Sequence, residues 1–146
     1  MTFLEARGLT KIYSDMAKPV QVLGGLDFSM DKGQCIGIYG ASGSGKSTFL
    51  HLLGGLDDPT DGEVLADGVK LDRLSDQELA DFRNRRIGFV FQFYYLLPEF
   101  TALENVMMPV LIGGGGKQEA VTKASEALHS VGLGDRLEHR PPMLSG

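Results

Sequence analysis

The chain has 146 residues, of which 42% are hydrophobic and 23% are charged, an ordinary mixture for one globular domain or part of one. Its net charge of −5 argues against a general nucleic-acid or anionic-membrane binder, because such proteins usually carry surplus Lys and Arg. The longest apolar runs are too short to span a bilayer, and Glu5 and Arg7 interrupt any signal-peptide pattern. We therefore predict a cytoplasmic protein that reaches a membrane only through a partner.

Apolar periodicity predicts three strands and a helix in the first third of the chain. Alternation from Phe3 to Ile12 and from Val20 to Met30 predicts two strands at the edge of a sheet. The run Cys35 to Tyr39 is apolar without alternation, as in a strand covered on both faces of a parallel sheet, so Cys35 is expected to be a buried thiol. A glycine-rich loop follows, and a helix is predicted from Lys46 to about Leu53.

Two capping-box patterns predict helices further along the chain. Ser75 is followed three residues later by Glu78, which predicts a helix over residues 75–84. Thr101 and Glu104 repeat the spacing, and the helix that they begin should kink or end at Pro109 because proline lacks the backbone N–H.

The remaining elements are two short strands and one helix. Turn residues surround a short strand from Glu63 to Ala66, and Ile87 to Phe91 is a second apolar run without alternation. A glycine run from Gly113 to Gly116 is expected to be a flexible joint before an amphipathic helix from about Gln118 to Val131.

The loop before the first helix satisfies the phosphate-binding pattern G-x-x-x-x-G-K-[ST] with Gly40, Ala41, Ser42, Gly43, Ser44, Gly45, Lys46 and Ser47. Glycines allow several backbone N–H groups to converge on a phosphate, and the N-terminus of the helix adds a positive dipole. Lys46 is predicted to contact the β- and γ-phosphates, Ser47 to ligate Mg²⁺, and Thr48 to reach the α-phosphate. The alternative is a purely structural glycine loop, which the predicted strand before it and helix after it disfavour.

The residue after the second apolar run narrows the class of P-loop protein. A P-loop alone is compatible with small-molecule kinases, GTPases, and AAA-type and ABC ATPases, all of which need an acidic residue near Mg²⁺. The run Ile87 to Phe91 instead ends in Gln92. An amide oxygen can ligate Mg²⁺, but it is a weaker anchor than a carboxylate.

A strand that ends in glutamine after a P-loop resembles the Q-loop of ATP-binding-cassette (ABC) ATPases. The chain ends in Leu144, Ser145 and Gly146, which resemble the first residues of the family's signature motif LSGGQ. This resemblance implies that Ser145 contacts the γ-phosphate bound by a partner copy. Tyr13 resembles the A-loop aromatic residue that stacks on adenine, although an ordinary tyrosine at a strand end is the alternative.

The resemblance is closer to one subfamily, the ATPase subunits of bacterial lipoprotein-releasing systems. It rests on the segments HLLGGLD (51–57), RN (83–84), GF (88–89), QF (92–93), LLPEFTALENV (96–106) and HRP (139–141). MacB-type exporters and the FtsE-type cell-division ATPase share the ABC motifs and are the alternatives within the family. The sequence departs from the subfamily at Tyr94 and Tyr95, where histidines are frequent, and in the glycine run at 113–116.

The resemblance implies an α/β fold: an incomplete P-loop ABC-ATPase domain over residues 1–146 that ends within the signature motif. This domain would contain an antiparallel β-subdomain, part of a parallel core sheet and part of the helical subdomain. The implied ligands are ATP and Mg²⁺. The implied partners are membrane-spanning subunits of the LolC and LolE kind and a second copy of the ATPase, at the cytoplasmic face of the inner membrane.

The family's Walker B aspartate, catalytic glutamate, D-loop and switch histidine are expected to lie beyond Gly146. We therefore assign no catalytic residue within this chain, and expect it to be poorly stable and without ATPase turnover by itself. Two functions of other classes remain open at this stage: a small-molecule P-loop kinase, and a nucleotide-binding module without catalysis.

The apolar and aromatic stretch that follows Gln92 runs from Phe93 to Pro98. Composition alone is compatible with a core segment, whereas the resemblance implies a groove that grips the coupling helices of membrane subunits. Arg83, Arg85 and Arg86 are expected to form a solvated helix end, with a contribution to that groove as the alternative.

Overall fold

The structure is a computed structural model that describes residues 2–14 and 18–144. The contacts divide the chain into two compact units, Met1–Arg83 and Asn84–Gly146. The first unit contains an antiparallel sheet with a helix packed against it, and the second contains a pair of packed helices.

The described part of the chain forms one four-stranded antiparallel sheet, with strand order β2-β1-β3-β4. The strands are β1 (Thr2–Tyr13), β2 (Val20–Asp31), β3 (Asp61–Ala66) and β4 (Val69–Lys70). The strands predicted over Phe3 to Ile12, Val20 to Met30 and Glu63 to Ala66 are confirmed. However, β1 lies inside the sheet, paired with both β2 and β3, rather than at its edge. The short β4 was not predicted.

The helix α1 (Lys46–Leu53) is confirmed at its predicted bounds, and it supplies the largest residues of the first core. Phe49 and Leu52 of α1 are buried, and the Phe49 ring meets Phe28 of β2 edge to face at 5.4 Å between centroids. The core also contains residues of all three long strands: Ala6, Leu9, Leu23, Val64 and Ala66. Full burial of a Leu or Phe side chain contributes about 1.5 to 3 kcal/mol, so α1 is a principal source of cohesion in this unit.

The two apolar runs predicted to be strands of a parallel core sheet do not form strands. Residues 35–39 and 87–91 have no regular secondary structure, and no described strand pairs with either segment. A strand needs a hydrogen-bonded neighbour on at least one edge, and an apolar pattern cannot supply one. The prediction of a buried thiol is also wrong, since Cys35 is exposed. The mixed α/β class with an antiparallel sheet is confirmed, whereas the parallel part of the sheet is absent from residues 2–14 and 18–144.

The helices of the second half are α2 (Asp76–Arg86), α3 (Ala102–Ile112) and α4 (Lys117–Ser130). The second core consists of Met107 from α3 against Ala120 and Ala124 from α4. Of the two predicted outcomes at Pro109, a kink or an end, the end is wrong, because α3 continues to Ile112. Proline removes only one backbone hydrogen bond at this position, and packing against α4 continues on both sides of it. Three short 3₁₀ helices complete the described elements: Leu71–Arg73, Gly134–Arg136 and Pro141–Met143.

Both predicted capping boxes are present. The Thr101 hydroxyl accepts from the Glu104 N–H at 3.2 Å, and the Thr101 N–H donates to the Glu104 carboxylate at 2.8 Å. At the start of α2, the Ser75 N–H likewise donates to the Glu78 carboxylate at 2.8 Å, and Ser75 Oγ accepts from the Glu78 N–H at 3.4 Å. Each box satisfies two N–H groups that have no partner within the helix.

The capping box at Thr101 predicts a measurable cost for its removal. Thr101→Ala should lower the free energy of unfolding by about 1 kcal/mol, because a backbone N–H of α3 loses its acceptor. The matched control is Thr122→Ala in α4, where the hydroxyl only donates to the Gln118 carbonyl of its own helix. Chemical denaturation should show little change for the control, and equal losses in both variants would contradict this role of Thr101.

Candidate functional site

The glycine-rich loop leads directly into α1. Gly45 is the N-cap of α1 and adopts φ +87°, and Gly43 within the loop adopts φ +78°. These left-handed conformations disfavour any residue with a Cβ atom. No side chain caps the N-terminus of α1 at Gly45, so the first-turn N–H groups have no capping acceptor from that residue.

Steric constraints favour glycine at Gly45, and a Cβ atom at Gly40 would require a neighbouring serine side chain to move. A Cβ atom at Gly45 would lie 3.0 Å from the side chains of Val22 and Leu23 and 3.1 Å from the Val22 carbonyl oxygen. A Cβ atom at Gly40 would lie 2.7 Å from Ser44 Oγ. The loop backbone is therefore wrapped tightly around its own centre and pressed against β2. We call this loop, residues 40–45, the glycine cradle, because side chains at its glycines would fill it.

Lys46 directs its ammonium group over this cradle. Its Nζ donates to the carbonyl oxygens of Gly40 at 2.9 Å and Ala41 at 2.6 Å. The positive charge therefore lies above the loop, close to the positive end of the α1 dipole. Ser47 and Thr48 follow in the first turn of α1, where Ser47 is exposed and Thr48 is half-buried. The loop thus combines a cation, a helix N-terminus and a hydroxyl group, which is an arrangement suited to a polyphosphate.

Tyr13 lies at the end of β1, and the strand register pairs it with β2, the strand that lies against the start of α1. Tyr13 is paired with Val20 of β2, and Val22, two residues further along β2, touches Gly45. The Tyr13 hydroxyl donates to Asp57 Oδ2 at 2.8 Å. Asp57 follows α1 by four residues. The tyrosine is therefore linked to the P-loop helix at both ends, through β2 at one end and Asp57 at the other.

Lys11 completes this polar cluster, and its part in the site was missed by sequence analysis. Its side chain is only 11% exposed, and its Nζ donates to Asp57 Oδ1 and to the Asp58 carbonyl, both at 2.6 Å. The Nζ atom also lies 4.9 Å from the centre of the Tyr13 ring, over its face. Residues at i and i+2 of a strand share a face, so the Lys11–Tyr13 spacing was the available signal. Nothing in the sequence indicated that Asp57 would meet them.

The Asp57 carboxyl is shifted towards its charged form. Burial raises the pKa of Asp57, but the hydrogen bonds from Lys11 and Tyr13 and the nearby ammonium charge outweigh burial and lower the pKa below its ordinary value of 3.8. The folded chain therefore favours an ionised Asp57, which can accept hydrogen bonds from both partners at once.

Arg83 stabilises the turn between α1 and Asp57. Its Nη1 donates to the Gly55 carbonyl at 2.7 Å, in a partly buried contact. The prediction that Arg83 belongs to a solvated helix end is therefore wrong, because this guanidinium supports the backbone just beyond the P-loop helix. Gly55 has φ +62°, a conformation that places its carbonyl in the turn and favours glycine.

The second unit carries Gln92 and the aromatic stretch. Gln92 is exposed in a bend rather than at the end of a strand. Tyr94 and Tyr95 are 80% and 74% exposed, so the core interpretation of this stretch is wrong for the described chain. Tyr95 adopts φ +47°, unusual for a residue with a side chain, and its ring meets Phe91 edge to face at 5.1 Å.

Asn105 of α3 anchors the end of this stretch. Its Oδ1 accepts from the Leu97 N–H at 2.9 Å, and its Nδ2 donates to the carbonyls of Leu97 and Phe100 at 3.1 and 3.2 Å. An asparagine side chain can pair with an N–H and a C=O at the same time, which explains this residue type here. The exposed aromatic residues are therefore presented on a backbone held at its C-terminal end.

Three other predictions concern the signature motif, metal ligation and contact with the membrane. Ser145 and Gly146 lie outside the described residues. Across residues 2–14 and 18–144, no group of three or more His, Cys, Asp or Glu side chains is arranged to hold a metal ion. No helix in the same ranges is both long and apolar enough to cross a membrane.

The family of the chain follows from comparison with known proteins. The family model described as "ABC transporter" matches residues 23–146, and the chain belongs to this family. Membership decides against the small-molecule kinase alternative. The match includes the P-loop and α1, which the structure places against the antiparallel sheet.

Curated relatives show which kind of ABC transporter protein this chain resembles. The chain is 52% identical over 143 residues to the lipoprotein-releasing system ATP-binding protein LolD of Xanthomonas axonopodis pv. citri, which covers 98% of this chain and 59% of that protein. It is 50% identical over 143 residues to LolD of Syntrophus aciditrophicus, covering 98% of this chain and 64% of that protein. The chain thus closely resembles LolD and spans about three fifths of the length of these relatives.

Solved structures agree with the fold. The dimeric ATP-binding cassette MJ0796 in a post-hydrolysis state, bound to ADP and Pi, is 37% identical with a TM-score of 0.88, over 97% of this chain and 63% of that one. Another dimeric structure of MJ0796, described as a bacterial ABC transporter cassette, is 38% identical with a TM-score of 0.89, over 98% of this chain and 63% of that one.

The lowered pKa of Asp57 predicts a pH-dependent contribution to stability. Asp57→Asn should lower the free energy of unfolding by about 1 kcal/mol above about pH 5, after allowance for partial solvent exposure. A carboxyl with a depressed folded-state pKa stabilises the fold above its unfolded pKa and loses that effect as the pH falls through the folded value. The difference between wild type and variant should therefore shrink below pH 3.8 and vanish in stronger acid. Denaturant titrations across this range measure it, and a difference independent of pH would contradict the charged role of Asp57.

Proposed function

We propose that this chain is the nucleotide-binding part of an ABC transporter ATPase and that it binds ATP at the loop formed by residues 40–47. The single observation that carries the proposal is the glycine cradle with the Lys46 ammonium held over it at the N-terminus of α1. The related cassette MJ0796 has been solved with ADP and Pi, which supports a nucleotide as the ligand.

Each residue of the loop has a role that its geometry supports. The left-handed Gly43 and Gly45 leave backbone N–H groups room to approach the β-phosphate. The Lys46 ammonium is held by two carbonyl oxygens, and exchanges those acceptors for β- and γ-phosphate oxygens when ATP binds. Thr48, in the first turn of α1, binds the α-phosphate. Ala41, Ser42 and Ser44 contribute backbone N–H groups along the loop.

The chain also offers two oxygen ligands suited to Mg²⁺. The Ser47 hydroxyl is exposed in the first turn of α1, and the Gln92 amide is exposed in the second unit. Both are hard oxygen donors of the kind that Mg²⁺ accepts, but both are neutral. Phosphate oxygens of the nucleotide would therefore supply the negative charge around the ion. Mg²⁺, when bound, neutralises the charge of the β- and γ-phosphates.

We assign adenine stacking to Tyr13 and a role in a nucleotide-bound dimer to Ser145. Tyr13 pairs with Val20 of β2, the strand whose Val22 and Leu23 lie against the start of α1, which supports a place for its ring beside the nucleotide. The MJ0796 cassettes are dimeric, which supports a dimer as the working form. In that dimer, Ser145 of each copy would reach the γ-phosphate bound by the other.

The transport function that we propose is release of lipoproteins from the bacterial inner membrane, as the name of the LolD relatives describes. The membrane-spanning partners would be LolC- and LolE-like subunits, with the ATPase bound peripherally at the cytoplasmic face. The exposed stretch from Phe93 to Leu97 is the surface we assign to them, because exposed aromatic side chains on a backbone anchored by Asn105 are suited to grip an apolar helix.

Nucleotide binding should depend on the Lys46 charge. Lys46→Ala removes a charge-assisted interaction of about 1.5 to 3 kcal/mol, so ATP affinity should fall about tenfold to a hundredfold. Isothermal titration with ATP provides the measurement. Lys32→Ala, at an exposed lysine in the turn after β2, is the control and should bind ATP as wild type does. Unchanged affinity in Lys46→Ala would refute the assignment of the phosphate site.

Partner binding should depend on the exposed aromatic stretch. In the full chain, Tyr95→Asp or Leu97→Asp should abolish association with membrane subunits, since a charge would be desolvated in an apolar contact, while ATP affinity stays unchanged. Co-purification with the membrane subunits is the readout. Val131→Asp, at an exposed apolar residue after α4, is the control and should associate normally. Loss of the thermal unfolding transition in the Tyr95 and Leu97 variants would instead indicate a structural role.

A further inference from the structure

We propose that Lys11 and Asp57 are positioning residues that hold the Tyr13 ring in the orientation in which it stacks on a nucleotide base. The inference rests on the proposed function, since it takes Tyr13 as the base-stacking residue. It assigns a role in nucleotide binding to two residues that lie outside the P-loop.

The Tyr13 ring is fixed at both ends of its long axis. A tyrosine at a strand end can ordinarily rotate about χ1 between staggered positions. Here the backbone of Tyr13 is fixed by its pairing with Val20, and its hydroxyl is fixed by Asp57 at 2.8 Å. The long axis of the ring is thus held at both ends. The Lys11 ammonium lies over one face at 4.9 Å, so a base would stack on the opposite face.

The two oxygens of the Asp57 carboxylate bind different partners. Its Oδ1 accepts from Lys11 and its Oδ2 accepts from Tyr13, so both oxygens are occupied by donors of the cluster. Lys11 as a whole residue is 9% exposed, and its ammonium has a second acceptor in the Asp58 carbonyl. A buried ammonium with two acceptors has little freedom to move. It therefore fixes the Asp57 carboxylate, which in turn holds the Tyr13 hydroxyl.

The same cluster is connected to the phosphate loop through α1. Asp57 follows α1, the helix that carries Lys46, and the turn between them is held by Arg83 through the Gly55 carbonyl. At the other end of α1, Gly45 touches Val22 of β2. The spacing between the base site and the phosphate loop is therefore set before binding. Preorganisation of this kind raises affinity by lowering the cost of ordering the site.

The test must separate ring positioning from general stabilisation, and the ratio of two affinities does so. ATP contains the base and inorganic tripolyphosphate does not, so the ratio of their dissociation constants isolates the contribution of base and ribose. Each is measured by calorimetry on the full chain, with the thermal midpoint of every variant recorded. A merely structural role would weaken both ligands together and leave the ratio unchanged.

Three variants probe the cluster, with a fourth as the matched control. Tyr13→Ala should weaken ATP by about tenfold and leave tripolyphosphate unchanged, because stacking is lost. Asp57→Asn and Tyr13→Phe should each weaken ATP by about threefold with unchanged tripolyphosphate affinity, because the ring remains but is no longer held. Asp58→Asn is the control, since that exposed side chain lies outside the cluster, and it should match wild type.

The double variant Tyr13→Ala with Asp57→Asn completes the experiment. It should bind ATP no more weakly than Tyr13→Ala alone, since Asp57 acts only through the tyrosine. If Tyr13→Ala leaves the ratio unchanged, the stacking role of Tyr13 fails and the inference fails with it. If Tyr13→Ala raises the ratio of the ATP to the tripolyphosphate dissociation constant while Asp57→Asn and Tyr13→Phe do not, the inference alone is overturned.

Discussion

The close approach of Gly45 to the backbone of β2 is the contact on which the first unit depends. The missing side chain lets α1 begin within van der Waals distance of Val22 and Leu23. Because α1 begins there, Phe49 and Leu52 are directed onto the sheet and form its core. The same contact places Lys46 at the helix N-terminus, which no side chain caps. The absence of a side chain at Gly45 therefore allows both the core packing of α1 and the formation of the anion site.

Charged side chains hold the chain in place beyond the C-terminal end of α1. Lys11 binds Asp57 and the Asp58 carbonyl, and Arg83 binds the Gly55 carbonyl. Cations here satisfy carbonyl and carboxylate oxygens that would otherwise be poorly paired next to the core. The helix is thus fixed by steric contact at its start and by charged hydrogen bonds after its end. Tyr13 is held by this second group, which relates the sheet to the candidate nucleotide site.

The second unit is organised on a different principle. Its core is a small contact of Met107 with Ala120 and Ala124, and much of its aromatic content lies at the surface. Asn105 holds the end of the aromatic stretch through backbone hydrogen bonds. Burial of these exposed aromatic side chains against a partner is favourable, and the anchored backbone reduces the entropy lost on binding. This combination is why we assign it to protein contacts.

The sequence by itself determined the local elements and the phosphate loop, because each depends on residues close together in the chain. The loop and the start of α1 follow from Gly40 to Ser47, and both capping boxes follow from a three-residue spacing. Only the tertiary structure decided which apolar runs become strands, since Cys35 to Tyr39 has the composition of a strand but no described neighbour to pair with. The meeting of Lys11, Asp57 and Tyr13 was likewise decided by the fold, because 46 residues separate Lys11 from Asp57 and no local pattern relates them.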